Sequence, residues 1–294
     1  MTELLSQSPV LFAAVAFAFA LLIGSFLNVV IYRLPIMMQR EWHDQCEELQ
    51  SAEAPALPDG PFNIIIPSSC CPSCGSKIKY WQNIPVLSYL LLGARCANCS
   101  QKISARYPLV EILTAILAAV CAWRFGFGWE ALMAIALTFT LIAISMIDYD
   151  HQLIPDSIVF PLLWTGLIMS LFHPMAGTDT LFIAPRDAII GALAGYLSLW
   201  SVYQLFKMAT GKEGMGYGDF KLLAALGAWL GWEMLHLVIL FSAVVGAVIG
   251  IAMIVLKGRD RQLPIPFGPY LAAAGWITML YGETIWNSYL NKFV

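Results

Sequence analysis

Two carboxylates stand where apolar runs meet polar ones: Asp148, directly after the run ending at Ile147, and Asp219, at the end of Gly214-Met215-Gly216-Tyr217-Gly218. An ionisable group held against an apolar helix is costly, which makes it a candidate for function. Two such groups brought close together do not both ionise readily. One keeps a proton, and the pair can take a proton from water while giving one to a scissile carbonyl. That is aspartyl peptide hydrolysis, which needs no covalent intermediate. Spacing alone equally allows both residues to be mere helix caps at an interface. Other hydrolytic constellations do not occur: there is no His-Glu-x-x-His and no Gly-x-Ser-x-Gly. The glycines at 214, 216 and 218 remove side-chain bulk around Asp219 and would admit an extended peptide backbone.

A second constellation is Cys71-Pro72-Ser73-Cys74 with Cys96-Ala97-Asn98-Cys99. Two Cys-x-x-Cys pairs can present four thiolates tetrahedrally to Zn²⁺, in a structural role because no coordination position stays open. A segment too small to bury a core gains stability from such a staple. Disulfides or incidental thiols are the alternative, disfavoured by the reducing compartment argued for below. Cys70 adjoins Cys71 and can substitute for it, whereas Cys46 and Cys121 read as spare thiols. Among the other acidic residues, Asp156 is expected to cap the helix that follows Pro155. Asp150 and His151 are expected in a solvated connection, and Glu111 in the first turn of a helix, where the dipole favours it.

Membrane helices must position these residues. Of the 294 residues 59% are hydrophobic and only 12% charged, about half the charge of an average soluble chain. Apolar runs at 10–32, 108–123, 131–147, 158–172, 188–206, 220–232, 236–256 and 268–285 predict an all-α polytopic membrane protein with about eight transmembrane helices, some short for a full crossing. Gly231-Trp232-Glu233 reads as the turn between two of them. Ser8-Pro9 suits the start of the first helix, which lacks a basic n-region and a cleavage site and is expected to stay as a signal anchor. Gly24-Ser25, Gly191-x-x-x-Gly195 and Gly246-x-x-x-Gly250 allow helices to approach closely. The loop carrying His173, Asp179, Arg186 and Asp187 shows no site.

Lys and Arg concentrate on the cytoplasmic side. With the amino terminus outside, the inner segments hold Arg33, Arg40, Lys77, Lys79, Arg95, Lys102, Arg106, Lys207, Lys212, Lys221, Lys257, Arg259 and Arg261, and the outer ones only Arg124, Arg186 and Lys292. Asp148 and Asp219 then share the cytoplasmic face. The expected organisation is a first transmembrane helix at 10–32, a cytoplasmic domain with the tetracysteine module at 33–107, and a transmembrane core at 108–294. Residues 41–59 read as an exposed connector. The stretch from Trp81 to Leu92 is either an interfacial segment or the packed side of the module.

Gly216-x-Gly218-Asp219 matches the Gly-x-Gly-Asp pattern of intramembrane aspartyl proteases. With Gly24-Ser25-Phe26-Leu27-Asn28, the paired Cys-x-x-Cys, Asp148-x-Asp150, Leu153-Ile154-Pro155-Asp156 and Pro266-Phe267-Gly268-Pro269-Tyr270, the chain closely resembles the bacterial type IV prepilin peptidases over nearly its whole length. The resemblance implies cleavage of the basic leader of type IV prepilins and type II secretion pseudopilins on the cytoplasmic side, with Asp148 and Asp219 as the catalytic pair. It further implies methylation of the new amino-terminal residue with S-adenosylmethionine, in the inner membrane. No Gly-x-Gly-x-x-Gly loop marks the methyl-donor site; Gly93 is its one candidate, followed by Ala94 where some relatives carry a second glycine. Precursors and the lipid bilayer are the expected partners, and nucleic acid is not. A proton-coupled transporter also uses intramembrane carboxylates, though more often near the midplane. A presenilin-like protease and a non-enzymatic assembly scaffold are the other rivals.

Overall fold

A computed structural model describes residues 2–47, 62–172, 183–257 and 265–293. Its helices are α1 (Thr2–Gln7), α2 (Pro9–Glu47), α3 (Leu87–Leu91), α4 (Arg106–Phe125), α5 (Trp129–His151), α6 (Asp156–Ser170), α7 (Pro185–Thr210), α8 (Tyr217–Leu230), α9 (Leu235–Lys257) and α10 (Gly268–Phe293). The only β pairing among the described residues is two isolated bridges, Cys70 with Lys77 and Arg95 with Lys102. All eight apolar runs are helical. By length and composition α2, α4, α5, α7 and α9 can cross a membrane, so the chain is a multi-pass membrane protein. Residues 48–59 of the expected connector, His173 and Asp179, and Arg259 and Arg261 lie outside the described residues.

The chain forms two compact units, 1–127 and 128–294. In the first, α2 packs on α4. A Cβ on Gly24 would fall 2.7 Å from Glu111 Cα, so the two backbones meet there as the Gly24-Ser25 pair predicts. Ser8 Oγ accepts the Leu11 N–H at 3.3 Å, capping α2. The helix that holds the expected 10–32 span continues to Glu47, and Arg33 within it is satisfied in place. Arg33 is 7% exposed; Nη1 donates to Asn63 O at 2.9 Å and Nη2 to Pro67 O at 2.6 Å. Glu111 lies in the second turn of α4, not the first, and its carboxylate accepts the Val86 N–H at 2.7 Å instead of facing the dipole.

In the second unit α8 is the centre, buried at Asp219 and Phe220 and at every residue from Leu222 to Leu230. Fourteen residues span about 21 Å, too little for a hydrocarbon layer of about 30 Å. The short helix is stable because α6, α7, α9 and α10 pack around it. Gly191 and Gly227 touch backbone to backbone, and Trp229 Nε1 donates to Leu162 O at 2.9 Å.

Candidate active site and cysteine centre

Asp148 lies in the last turn of α5, inside the helix and not after it, because α5 runs on to His151. Gln152 closes that helix in the left-handed region (φ 53°) and donates its N–H to Asp148 O at 2.9 Å. The carboxylate is 5% exposed. Its Oδ2 accepts the N–H of Gly268, first residue of α10, at 2.9 Å, so the amino end of one helix points at the charge. Asp219 is the third residue of α8, 7% exposed, and the N-cap Gly216 amide bonds its carboxylate, one half of a capping box. Asp219 also lies within electrostatic reach of Asp148.

Ile154 joins the two sites. A Cβ on Gly218 would stand 2.7 Å from Ile154 Cβ, and one on Gly268 would stand 3.1 Å from Ile154 Cδ1 and 2.7 Å from Asp148 Oδ2. One side chain therefore fills the space between the glycine before Asp219 and the glycine that holds Asp148, and neither glycine has room for a methyl group. The capping alternative accounts for part of Asp219. It accounts for part of Asp148 too, whose carboxylate accepts the first amide of α10 although it sits at the carboxyl end of its own helix, where that helix's dipole disfavours it.

Asp156 does not cap α6. Pro155 occupies the N-cap position, and Asp156 pairs with Lys221, whose Nζ lies 2.7 Å from Oδ1 and 2.8 Å from Oδ2. Lys221 follows Asp219 by one residue pair on α8, so this bridge ties the segment leaving Asp148 to the helix carrying Asp219. Asp150 and His151 are exposed in the final turn of α5. Sequence reasoning missed Gly268 and Lys221. Pro266-Phe267-Gly268-Pro269 was visible as a motif, but which carboxylate it serves was not.

Cys71, Cys74, Cys96 and Cys99 converge with all four Sγ atoms within 4.8 Å of one another, and Cys71 Sγ lies 3.8 Å from Cys99 Sγ. Four sulfurs at about 2.3 Å from a tetrahedral ion stand about 3.8 Å apart, so the set fits a metal. Each pair forms the same turn: Cys71 N–H donates to Ser76 O and Gly75 N–H to Cys71 O, as Cys96 N–H does to Gln101 O and Ser100 N–H to Cys96 O. Gly75 and Ser100 both take positive φ, 68° and 58°. The Ser76 hydroxyl and amide, with Asn98, bring the Cys74 thiol down to about 6, toward the thiolate a metal needs. Cys70 is exposed and outside the cluster. Gly93 and Ala94 both have φ 58° in the turn before Cys96.

Residues 18–125 match the bacterial peptidase A24 N-terminal domain, and residues 135–251 match the type IV leader peptidase family. The chain is 54% identical over 290 residues to a prepilin leader peptidase/N-methyltransferase of Stutzerimonas stutzeri, covering 98% of this chain and 97% of the relative. Proteins of the same description from Pseudomonas aeruginosa and Aeromonas hydrophila are each 51% identical, over 98% and 99% of this chain and 97% and 98% of theirs. No solved structure matches.

Proposed function

The chain belongs to the type IV leader peptidase family, and on that premise we infer that it is a prepilin leader peptidase and N-methyltransferase. The observation that carries the reading is the junction of Asp148, Gly268, Ile154, Gly218 and Asp219, two shielded carboxylates joined through one side chain and two glycines. Asp148 and Asp219 form the catalytic pair. One carboxylate takes a proton from the attacking water and the other protonates the carbonyl of the scissile bond, with the proton passing on to the leaving amine. The Gly268 amide orients the Asp148 carboxylate so that its other oxygen faces the reaction. The bare backbone at Gly216 leaves a side open toward Asp219, suited to an extended leader.

The substrates are prepilins and type II secretion pseudopilins, and S-adenosylmethionine supplies the methyl group to the new amino terminus. The clustering of Lys and Arg supports an inner-membrane protein with its carboxylates on the cytoplasmic side. The ion held by the four cysteines is Zn²⁺, with a purely structural role. The family match gives no support to the transporter reading.

The test is incubation of purified protein with a prepilin and S-adenosylmethionine, read by mass spectrometry. Wild type removes the leader and adds one methyl group; Asp148→Asn and Asp219→Asn lose cleavage by at least about 10³-fold, the scale of removing a catalytic acid or base. Full cleavage by either variant at normal protein levels overturns the assignment of the pair.

A further inference from the structure

Between the two cysteine turns the chain displays exposed apolar side chains. Leu87, Leu90 and Leu91 share one face of α3 at 52%, 68% and 77% exposure, and Tyr80, Trp81 and Ile84 just before it are 85%, 48% and 44% exposed. So much contiguous apolar surface marks an interaction site.

One hydrogen bond fixes where this surface lies. Val86, the residue before α3, donates its N–H to Glu111 Oε2 at 2.7 Å, and the Ser25 side chain of α2 binds the same carboxylate. Glu111 is buried in α4, five residues past its start at Arg106, which is about 7.5 Å along the axis. The 20 residues of α4 cover about 30 Å, the thickness of the hydrocarbon layer. A segment tied to that depth sits where acyl chains meet headgroups. Charge agrees with the place: from Phe62 to Val110 the basic residues are Lys77, Lys79, Arg95, Lys102 and Arg106, and there is no Asp or Glu. Lys79 Nζ lies 5.0 Å over the Trp81 ring, a pairing of cation and interfacial aromatic.

We propose that the 80–91 segment is a monotopic anchor that seats the cysteine module on anionic lipid, with Leu87, Leu90 and Leu91 in the acyl region and the lysines at the phosphates. The uniform positive charge and the depth set by Glu111 favour lipid over a second copy of the chain or a protein partner.

The test places a photo-crosslinking benzoylphenylalanine at Leu91 or, as a control, at the exposed Gln101, in full-length protein reconstituted in vesicles of phosphatidylethanolamine and phosphatidylglycerol. Illumination is expected to give phospholipid adducts at Leu91 at least tenfold above Gln101. Equal yields at the two positions, or adducts at Leu91 to protein instead of lipid, overturn the proposal. A readout free of the label is hydrogen exchange in the same vesicles: Leu90→Ser with Leu91→Ser should speed exchange of the 87–92 amides at least tenfold and leave α8 unchanged. Unchanged exchange at 87–92 overturns it as well.

Discussion

The cysteine module and the carboxylate site are both small and exacting, yet they are built in opposite ways. From Phe62 to Ala105 only Cys71 and Pro85 are buried; the segment is held by four sulfurs, by the Arg33 guanidinium on its carbonyls and by the Glu111 carboxylate on one amide. Around Asp148 and Asp219 position is set largely by helices in contact through glycines. Directional bonds hold the first region, excluded volume the second. The first should therefore fail when a bonding partner is withdrawn, the second when an atom is added.

The sharpest trial is metal removal. Structural zinc contributes on the order of 10 kcal/mol to small domains, so a strong chelator should release protection of the amides from 70 to 104 in hydrogen exchange while those of α8 stay protected. Cys71→Ser should reproduce this and lower bound zinc, and a protein that keeps full protection without metal would erase the contrast. Next is Gly227→Val, which places two methyl groups against the Gly191 backbone. Overpacking that cannot relax costs about 3 kcal/mol or more, and the expected result is loss of the folded second unit, seen as a lowered melting temperature and little protein recovered.

Gly268→Ala asks less. Its Cβ would meet Asp148 Oδ2 at 2.7 Å, so the carboxylate must turn, and cleavage should fall about 100-fold, equivalent to about 2.7 kcal/mol of barrier, with the melting temperature nearly unchanged. The smallest effect belongs to Lys221→Met, which frees Asp156 from a bridge whose partners are 25% and 51% exposed. Exposed pairs contribute at most about 1 kcal/mol, so kcat should drop only a few-fold, and Lys221→Arg should restore it. A Lys221 variant as damaged as Gly268→Ala would mean that the bridge, and not the packing, sets the site.

The sequence made legible whatever repeats along one helix or lies within a few residues: the eight apolar runs, the two Cys-x-x-Cys pairs, the glycines before Asp219. It was silent on partners brought together from afar. Gly268 meets Asp148 across 120 positions, and Lys221 meets Asp156 across 65; hydropathy carries no record of which helix ends adjoin. Local rules also misled where a distant partner outbid them. Asp156 had the composition of a cap but serves Lys221, and Glu111 was read as a dipole ligand but serves Val86.

The burial of α8 from Asp219 through Leu230, broken only at Lys221, has a consequence for how tolerance to change is distributed. On α2, which alternates packed and exposed positions, permissive sites in a saturation mutagenesis scan should recur with the helical rhythm of 3.6 residues. From Leu222 to Leu230 every position of α8 is buried, so the scan should be flat and uniformly intolerant there, and that stretch at the heart of the unit would leave no periodic trace of being helical.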